Sequence, residues 1–130
     1  MVFEFAIRSM RVGLHALSDD RFPGLRTRHY RLLGFIPTEG IRLSRIAGLS
    51  GLTKQALAQA LVPLERGGYV EVVADPVDRR ARIVRCTARG QEVLEALLAL
   101  QAGYEREWSA TVGADRWRAA REVLVELFLQ

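Results

Sequence analysis

The sequence predicts a mainly α-helical fold with a small two-stranded β wing. Apolar residues recur every three or four positions along most of the chain, which is the period of an amphipathic helix. After Gly67 and Gly68 the pattern changes, and two short runs rich in β-branched residues flank a polar loop. At 130 residues the chain has the length of one domain, 1–130, that buries its own hydrophobic core.

Two helices are expected in the first part of the chain. The first covers Val2–Ser18, where five apolar side chains recur at helical spacing. Pro23 suits the first turn of a second helix that continues to about Phe35. Ile36–Gly40 should then form a loop, because proline and glycine interrupt it.

The next thirty residues have the outline of a helix-turn-helix. Ser44 is suited to cap a short helix, Arg45–Leu49, and Gly51 suits the tight turn after it, where a positive φ costs glycine little. Thr53 should cap a second helix that runs to about Arg66. Two short helices joined by a turn containing glycine are typical of this motif.

A β-hairpin and two further helices complete the chain. Tyr69–Val73 and Arg82–Cys86 are predicted to pair as strands around a basic loop, so the region is interpreted as a winged helix-turn-helix. Thr87 should cap a long helix from Ala88 to about Trp108, and a last helix is expected over Ala114–Leu129.

Composition excludes several classes of protein. One cysteine, Cys86, excludes a disulfide framework or a Cys-rich zinc site and is expected in the core; no metal or other cofactor is expected. No apolar run approaches the ~20 residues of a membrane span and no signal-peptide core is present, so we expect a cytoplasmic protein without a membrane partner. The absence of an acid–base pair, a nucleophile–base arrangement or a phosphate-binding glycine loop argues against an enzyme.

Charge is distributed unevenly along the chain. Residues 1–91 contain 15 Lys/Arg and 8 Asp/Glu, whereas residues 92–130 contain 4 Arg and 7 acids. This asymmetry suggests a part that faces a polyanion joined to a part that mediates protein interaction. A chance distribution on a short chain is the alternative.

The second helix of the helix-turn-helix is the candidate reader of the DNA major groove. Once its apolar face is buried, Lys54, Gln55 and Gln59 point outward. Thr53 and Lys54 can reach phosphates, and the two glutamines suit base edges, particularly those of adenine. Ser44 is a further candidate contact. The alternative is an ordinary solvated helix face.

The predicted hairpin tip is the second candidate DNA-binding element. Arg79, Arg80 and Arg82 place three guanidinium groups within four residues, and an arginine on such a wing can enter a narrow minor groove. Asp78 belongs to the same site and is expected to organise the loop by accepting backbone N–H groups. A solvated charged turn is the alternative.

Five blocks of sequence resemble the MarR family of bacterial transcriptional regulators. They are Leu43–Ala47, Leu52–Ala56, Leu64–Val70, Asp75–Arg80 and Ile83–Gly90. The last two contain a wing pattern DxxDRR and a helix-opening pattern TxxG, which are specific in this order.

The resemblance implies a homodimer in which N- and C-terminal helices, about 1–20 and 88–130, interlock. Two DNA-binding lobes, about 23–87 with the wing at 69–86, would then face successive major grooves of a pseudo-palindromic operator. It also implies a small phenolic or amphipathic ligand in a cleft near His15, His29 and Tyr30. The oxidant-sensing branch is not expected, since its reactive cysteine lies in the N-terminal region.

The predicted function is therefore a homodimeric regulator that binds double-stranded DNA, a repressor relieved by a small molecule. The apolar C-terminal helix is a separate reason to expect a dimer. The alternative is a winged-helix module that binds protein and has lost DNA binding. Pro63 favours this alternative, because a proline inside the reading helix removes a backbone hydrogen bond and predicts a kink or an early end.

Overall fold

The computed structural model describes residues 2–128. Within that range the elements in chain order are α1 (Val2–Asp20), α2 (Thr27–Leu33), β1 (Ile41–Arg42), α3 (Leu43–Ser50), α4 (Lys54–Arg66), β2 (Val70–Ala74), β3 (Arg82–Cys86), α5 (Ala88–Val112) and α6 (Ala114–Phe128). They form two compact units; the first ends at Leu97 and the second begins at Leu98, both within α5. None of these helices is long and apolar enough to cross a bilayer.

The predicted fold class, mainly α with a small β wing, is confirmed. The sheet has a third strand that the sequence did not predict, because β1 is only two residues long and carries no strand pattern. All pairings are antiparallel, in the order β1-β3-β2. Ile41 lies opposite Val84, which attaches the start of α3 to the wing.

Several element boundaries differ from those predicted, and three of the differences have a bearing on the fold. α2 begins at Thr27 rather than at Pro23, because Phe22 and Leu25 are buried in an irregular turn before it. α3 begins at Leu43 with Arg42 in the N-cap position, so the prediction that Ser44 caps it is wrong. α5 extends beyond Trp108, to Val112.

The helix α4 continues through Pro63 to Arg66, so the expected early end is wrong, and the kink expected as the other outcome stays a prediction. Pro63 removes one intrahelical hydrogen bond, yet Leu61 and Leu64 on either side of it are buried in the core. Tertiary burial of an amphipathic face stabilises a helix more than local propensity does, and here it outweighs the missing bond.

The core of the first unit forms where α4 contacts α2, α3 and β2. Its most deeply buried aliphatic side chains are Leu33, Ile46, Leu64, Val84 and Val93. Cys86 is also buried, as predicted, and burial raises the pKa of its thiol. The thiol therefore stays protonated in the core.

The start of α5 packs directly against the backbone at the start of the wing. The Thr87 hydroxyl donates to the Gly68 carbonyl (2.6 Å) and accepts from the Gly90 N–H (3.1 Å). A Cβ atom at Gly90 would overlap the Tyr69 carbonyl oxygen and lie 2.6 Å from the Cys86 Sγ. The TxxG pattern thus has a physical basis: threonine caps the helix and glycine permits the close approach.

The second unit pairs the end of α5 with α6 through aromatic side chains. Tyr104 stacks on Trp108 at 5.8 Å between ring centroids, and Trp108 meets Trp117 edge-on at 5.3 Å. Arg121 reaches Glu105 at 3.6 Å. Large apolar side chains on the outside of this unit include Leu98, Val123, Leu124, Val125 and Leu127.

We predict that Gly90→Ala lowers the free energy of unfolding by about 1–3 kcal/mol, as overpacking does elsewhere. Gly103→Ala in the same helix is the matched control, because the nearest atom to its added Cβ is 3.8 Å away. That change should instead stabilise by about 0.5–1 kcal/mol, since alanine has the higher helix propensity. Urea denaturation measures the free energy of unfolding of both variants. Equal stability of the two would contradict the close approach of Gly90 to the Tyr69 backbone.

Candidate nucleic-acid interface

The N-terminal half of α4 presents a polar surface to solvent. The Thr53 side chain accepts the Ala56 N–H (3.1 Å) and caps the helix as predicted. Gly51, with φ +70°, makes the tight turn before it, a conformation that disfavours other residues. The side chains of Lys54, Gln55 and Gln59 are exposed, and the opposite face is buried, as the helical spacing predicts.

A buried carboxylate holds the base of the wing against the start of α3. The Asp75 Oδ2 lies 2.7 Å from the Arg42 Nε and 2.6 Å from its Nη2. The Asp75 Oδ1 accepts the Val77 N–H (2.8 Å), and the Asp75 N–H donates to the Ala81 carbonyl (3.0 Å). One side chain therefore fixes both the wing loop and the distance between wing and β1.

The pKa of Asp75 is lowered chiefly by the hydrogen bond from the Val77 N–H. The Arg42 guanidinium lowers it further, and burial acts in the opposite direction. Sequence reasoning did not single out Asp75 or Arg42. The DxxDRR pattern marks Asp75, but its partner lies 33 residues earlier in the chain and no local pattern connects them.

Asp78 and the wing arginines lie beyond this ion pair. The Asp78 Oδ1 accepts the Arg80 N–H (3.1 Å) and its carbonyl accepts the Ala81 N–H (2.9 Å), which is the loop-organising arrangement expected for it. Arg79, Arg80 and Arg82 are exposed.

A cleft of about 240 Å³ lies between the wing and the start of α4; we call it the wing cleft. Its lining residues are Arg42, Leu43, Ser44, Lys54, Leu57, Ala58, Arg80, Ala81 and Arg82. The structure thus brings together four predicted residues, Ser44, Lys54, Arg80 and Arg82, and adds Arg42. Four cations line one cleft, and three of them besides the Asp75-paired Arg42 favour anionic groups there. Gln55, Gln59 and Arg79 do not line it.

The three predicted ligand residues differ in exposure. His15 is exposed on α1, whereas His29 and Tyr30 are buried. The His29 Nδ1 accepts the Arg26 N–H (2.8 Å), and burial, followed by Arg28 and Arg26, lowers the pKa of His29. The Tyr30 hydroxyl lies 2.7 Å from the Ser18 Oγ, and burial raises its pKa. Both buried side chains therefore already have partners within the fold.

Comparison with known proteins supports the family that the sequence motifs indicate. The model of the MarR family matches residues 24–81. A crystal structure of MarR is 25% identical and superposes with a TM-score of 0.81, covering 97% of this chain and 85% of that chain. The chain shares the fold of MarR, and its residues 24–81 are similar to the MarR family. The family model covers all of α2, the helix-turn-helix and the first part of the wing.

Two other relatives show how far the similarity extends. BadR of Rhodopseudomonas palustris, a transcriptional activatory protein, is 36% identical over 78 residues, which cover 57% of this chain and 45% of BadR. The match thus spans less than half of BadR. Streptococcus pneumoniae FabT, crystallised in complex with DNA, shares the fold at 16% identity, with a TM-score of 0.81 and coverage of 98% of this chain and 90% of FabT.

We predict that Asp75→Asn lowers stability at neutral pH, because the amide cannot pair with the Arg42 charge. A carboxylate with a lowered pKa contributes stability fully above its unfolded pKa of about 3.9 and loses it as the pH falls through the folded value. The difference in urea midpoint from wild type should therefore be constant from about pH 7 to pH 5 and shrink below about pH 4.

Asp78→Asn is the control in the same loop, since its side chain can still accept the Arg80 N–H. It should change the urea midpoint less than Asp75→Asn does at neutral pH. A deficit of Asp75→Asn that stays the same from pH 7 to pH 3 would show that the charge of Asp75 is not what stabilises the wing.

Proposed function

We propose that the chain is a transcriptional regulator that binds double-stranded DNA sequence-specifically as a homodimer and represses transcription. The observation that carries the proposal is the exposed start of α4 beside a cleft lined by four cations. Gln55 and Gln59 read base edges in the major groove, and the wing cleft contacts backbone phosphates. Asp75 positions the wing without touching DNA, and no catalytic step is involved.

The proposed dimer rests on apolar side chains that the single chain leaves exposed. On α6, Val123 is 54% and Leu127 is 67% exposed, and on α1 Ile7 and Val12 are exposed too. Monomeric proteins rarely leave such groups of apolar residues in water. A two-fold dimer would carry two wings and two copies of α4, as a pseudo-palindromic operator requires.

We also propose that a small phenolic or amphipathic ligand relieves repression, as is typical of this family. To bind His29, a ligand would have to replace the hydrogen bond from the Arg26 N–H, and to bind Tyr30 it would have to replace the one to Ser18. His15, being exposed, needs no such exchange. BadR is named an activator, so transcription from the operator in vitro, with and without the protein, tests the sign of regulation.

The alternative of a protein-binding module rested on Pro63. Because α4 continues past Pro63 and the exposed residues Lys54, Gln55 and Gln59 precede it, the proline leaves the reading end of the helix regular. No feature of the described residues favours the alternative over DNA binding.

Selection of bound duplexes from a random library tests the proposal. We expect a two-fold symmetric site with half-sites about one helical turn apart and affinity that falls steeply with salt. Gln55→Ala should reduce the free energy of discrimination between bases by ~1–3 kcal/mol at one base position. Arg80→Ala should weaken binding to all sequences and reduce the slope of log affinity against log salt by ~1 per site.

The matched controls are Gln101→Ala and Arg116→Ala, which remove the same side chains from the second unit. Both should leave affinity and sequence preference unchanged. Absence of any enriched duplex would contradict the proposed function, and equal effects of Gln55→Ala and Gln101→Ala would contradict the assigned reading surface.

We predict that Leu127→Asp weakens the dimer tenfold or more, because burying an unpaired charge costs more than the ~1.4 kcal/mol that a tenfold change represents. Sedimentation at micromolar concentration should show a wild-type dimer and a variant that dissociates. Val77→Asp is the control, since Val77 lies on the wing and is 89% exposed. A monomeric wild type, or equal behaviour of the two variants, would contradict the proposed interface.

A further inference from the structure

A second basic cleft, smaller than the wing cleft, lies between α2 and the turn that precedes α4. It has a volume of about 80 Å³, and we call it the flank cleft. Its lining residues are Arg28, Arg31, Leu32, Phe35, Ser50 and Leu52. None of them was singled out by the sequence, and none lines the wing cleft.

The two arginines of the flank cleft are not neutralised by neighbouring acids. They are three residues apart on α2, so both lie on one face of that helix, and both are exposed. Among residues 2–128, neither lies within 4 Å of a carboxylate, whereas Arg42, Arg85, Arg118 and Arg121 do. The Arg28 Nε lies 3.4 Å from the His29 Nε2, but the His29 Nδ1 accepts the Arg26 N–H, so the neutral ring has its proton on Nε2 and does not accept from Arg28. Two like charges at one cleft favour an anion there.

The size of the flank cleft indicates what kind of anion fits. Clefts that hold drug-sized ligands usually measure ~300–1,000 Å³, several times more than this one. A phosphate group is small enough, and arginine forms paired hydrogen bonds to phosphate oxygens. The remaining lining is apolar apart from the Ser50 hydroxyl, which suits the sugar next to a backbone phosphate.

The flank cleft and the wing cleft are lined by neighbouring residues of the chain. Leu52 lines the flank cleft, and Lys54, two residues later, lines the wing cleft. Residues at the start of α4 thus contribute to one basic cleft, and a residue just before it contributes to the other. A helix inserted in a major groove has a phosphate backbone along each of its flanks.

We propose that Arg28 and Arg31 bind a DNA backbone phosphate on the α2 side of the reading helix, distinct from the phosphates bound at the wing cleft. This inference rests on the proposed function and extends it, since it gives the regulator a second, sequence-independent contact in each half-site. The contact fixes the orientation of α4 in the groove from α2, as the wing does from β3.

The salt dependence of operator binding tests the inference. The double variant Arg28→Ala/Arg31→Ala should bind matched and mismatched duplexes more weakly by the same factor, and its salt slope should fall by about one for each arginine removed. Arg28→Lys/Arg31→Lys should retain most of the slope. The control is Arg8→Ala/Arg11→Ala on α1, which has the same spacing and the same loss of charge and should leave the slope unchanged.

Neutral methylphosphonates placed one at a time along the operator locate the contact. Wild-type protein should be sensitive at two sets of positions. Arg80→Ala should abolish sensitivity at one set, and Arg28→Ala/Arg31→Ala at the other. The inference would be overturned if both variants lost sensitivity at the same operator positions, or if the salt slope of the double variant were unchanged. Either result would leave the proposed function intact.

Two further outcomes separate the remaining explanations. If wild-type protein binds no duplex, the proposed function fails and the inference fails with it. If calorimetry shows that inorganic phosphate binds wild type but not the double variant, and operator binding is the same for both, the flank cleft binds a free anion and the DNA contact is overturned.

Discussion

The first unit depends on the close approach of two backbone segments at Tyr69. Its N–H donates to the Leu64 carbonyl at the end of α4 (2.9 Å), and its carbonyl accepts the Thr87 N–H just before α5 (3.1 Å). Its ring meets Phe22 edge-on and lies under the Arg89 guanidinium. One residue thus joins the reading helix, the wing and the long helix, and the orientation of each is set relative to the other two.

Within this framework the ion pair of Arg42 and Asp75 decides how the wing is presented. A two-stranded hairpin has marginal stability by itself. Here β3 pairs with β1 on one side and with β2 on the other. The Asp75 carboxylate also joins the wing loop to Arg42 of β1. A wing held in this way keeps Arg80 and Arg82 near Lys54, so that less conformational entropy is lost when the cations meet an anion. Asp75 is buried and pairs with Arg42, and among residues 2–128 no carboxylate lies within 4 Å of the charged groups of Lys54, Arg80 or Arg82.

The parts of this structure that the sequence predicts are those with local causes. Thr53 caps its helix through a bond to the residue three positions later, so its role is visible in a short window. Ser44 is also a residue type that caps helices well. The pairing of β1 with β3 nevertheless places the start of α3 at Leu43 instead. Asp75 and its arginine, and the cleft between α2 and the turn before α4, arise from tertiary contacts between distant segments. No pattern in one segment contains that information.

The distribution of charge makes this surface more basic than a net charge of +4 suggests. Attraction depends on where the charges lie, and six of the fifteen cations in residues 1–91 line the wing cleft and the flank cleft. One small anion could occupy only one cleft and would leave the cations of the other without a partner. A duplex offers a phosphate backbone on each side of its major groove, with the base edges between them. Two basic clefts beside a helix start that exposes Gln55 and Gln59 suit that arrangement.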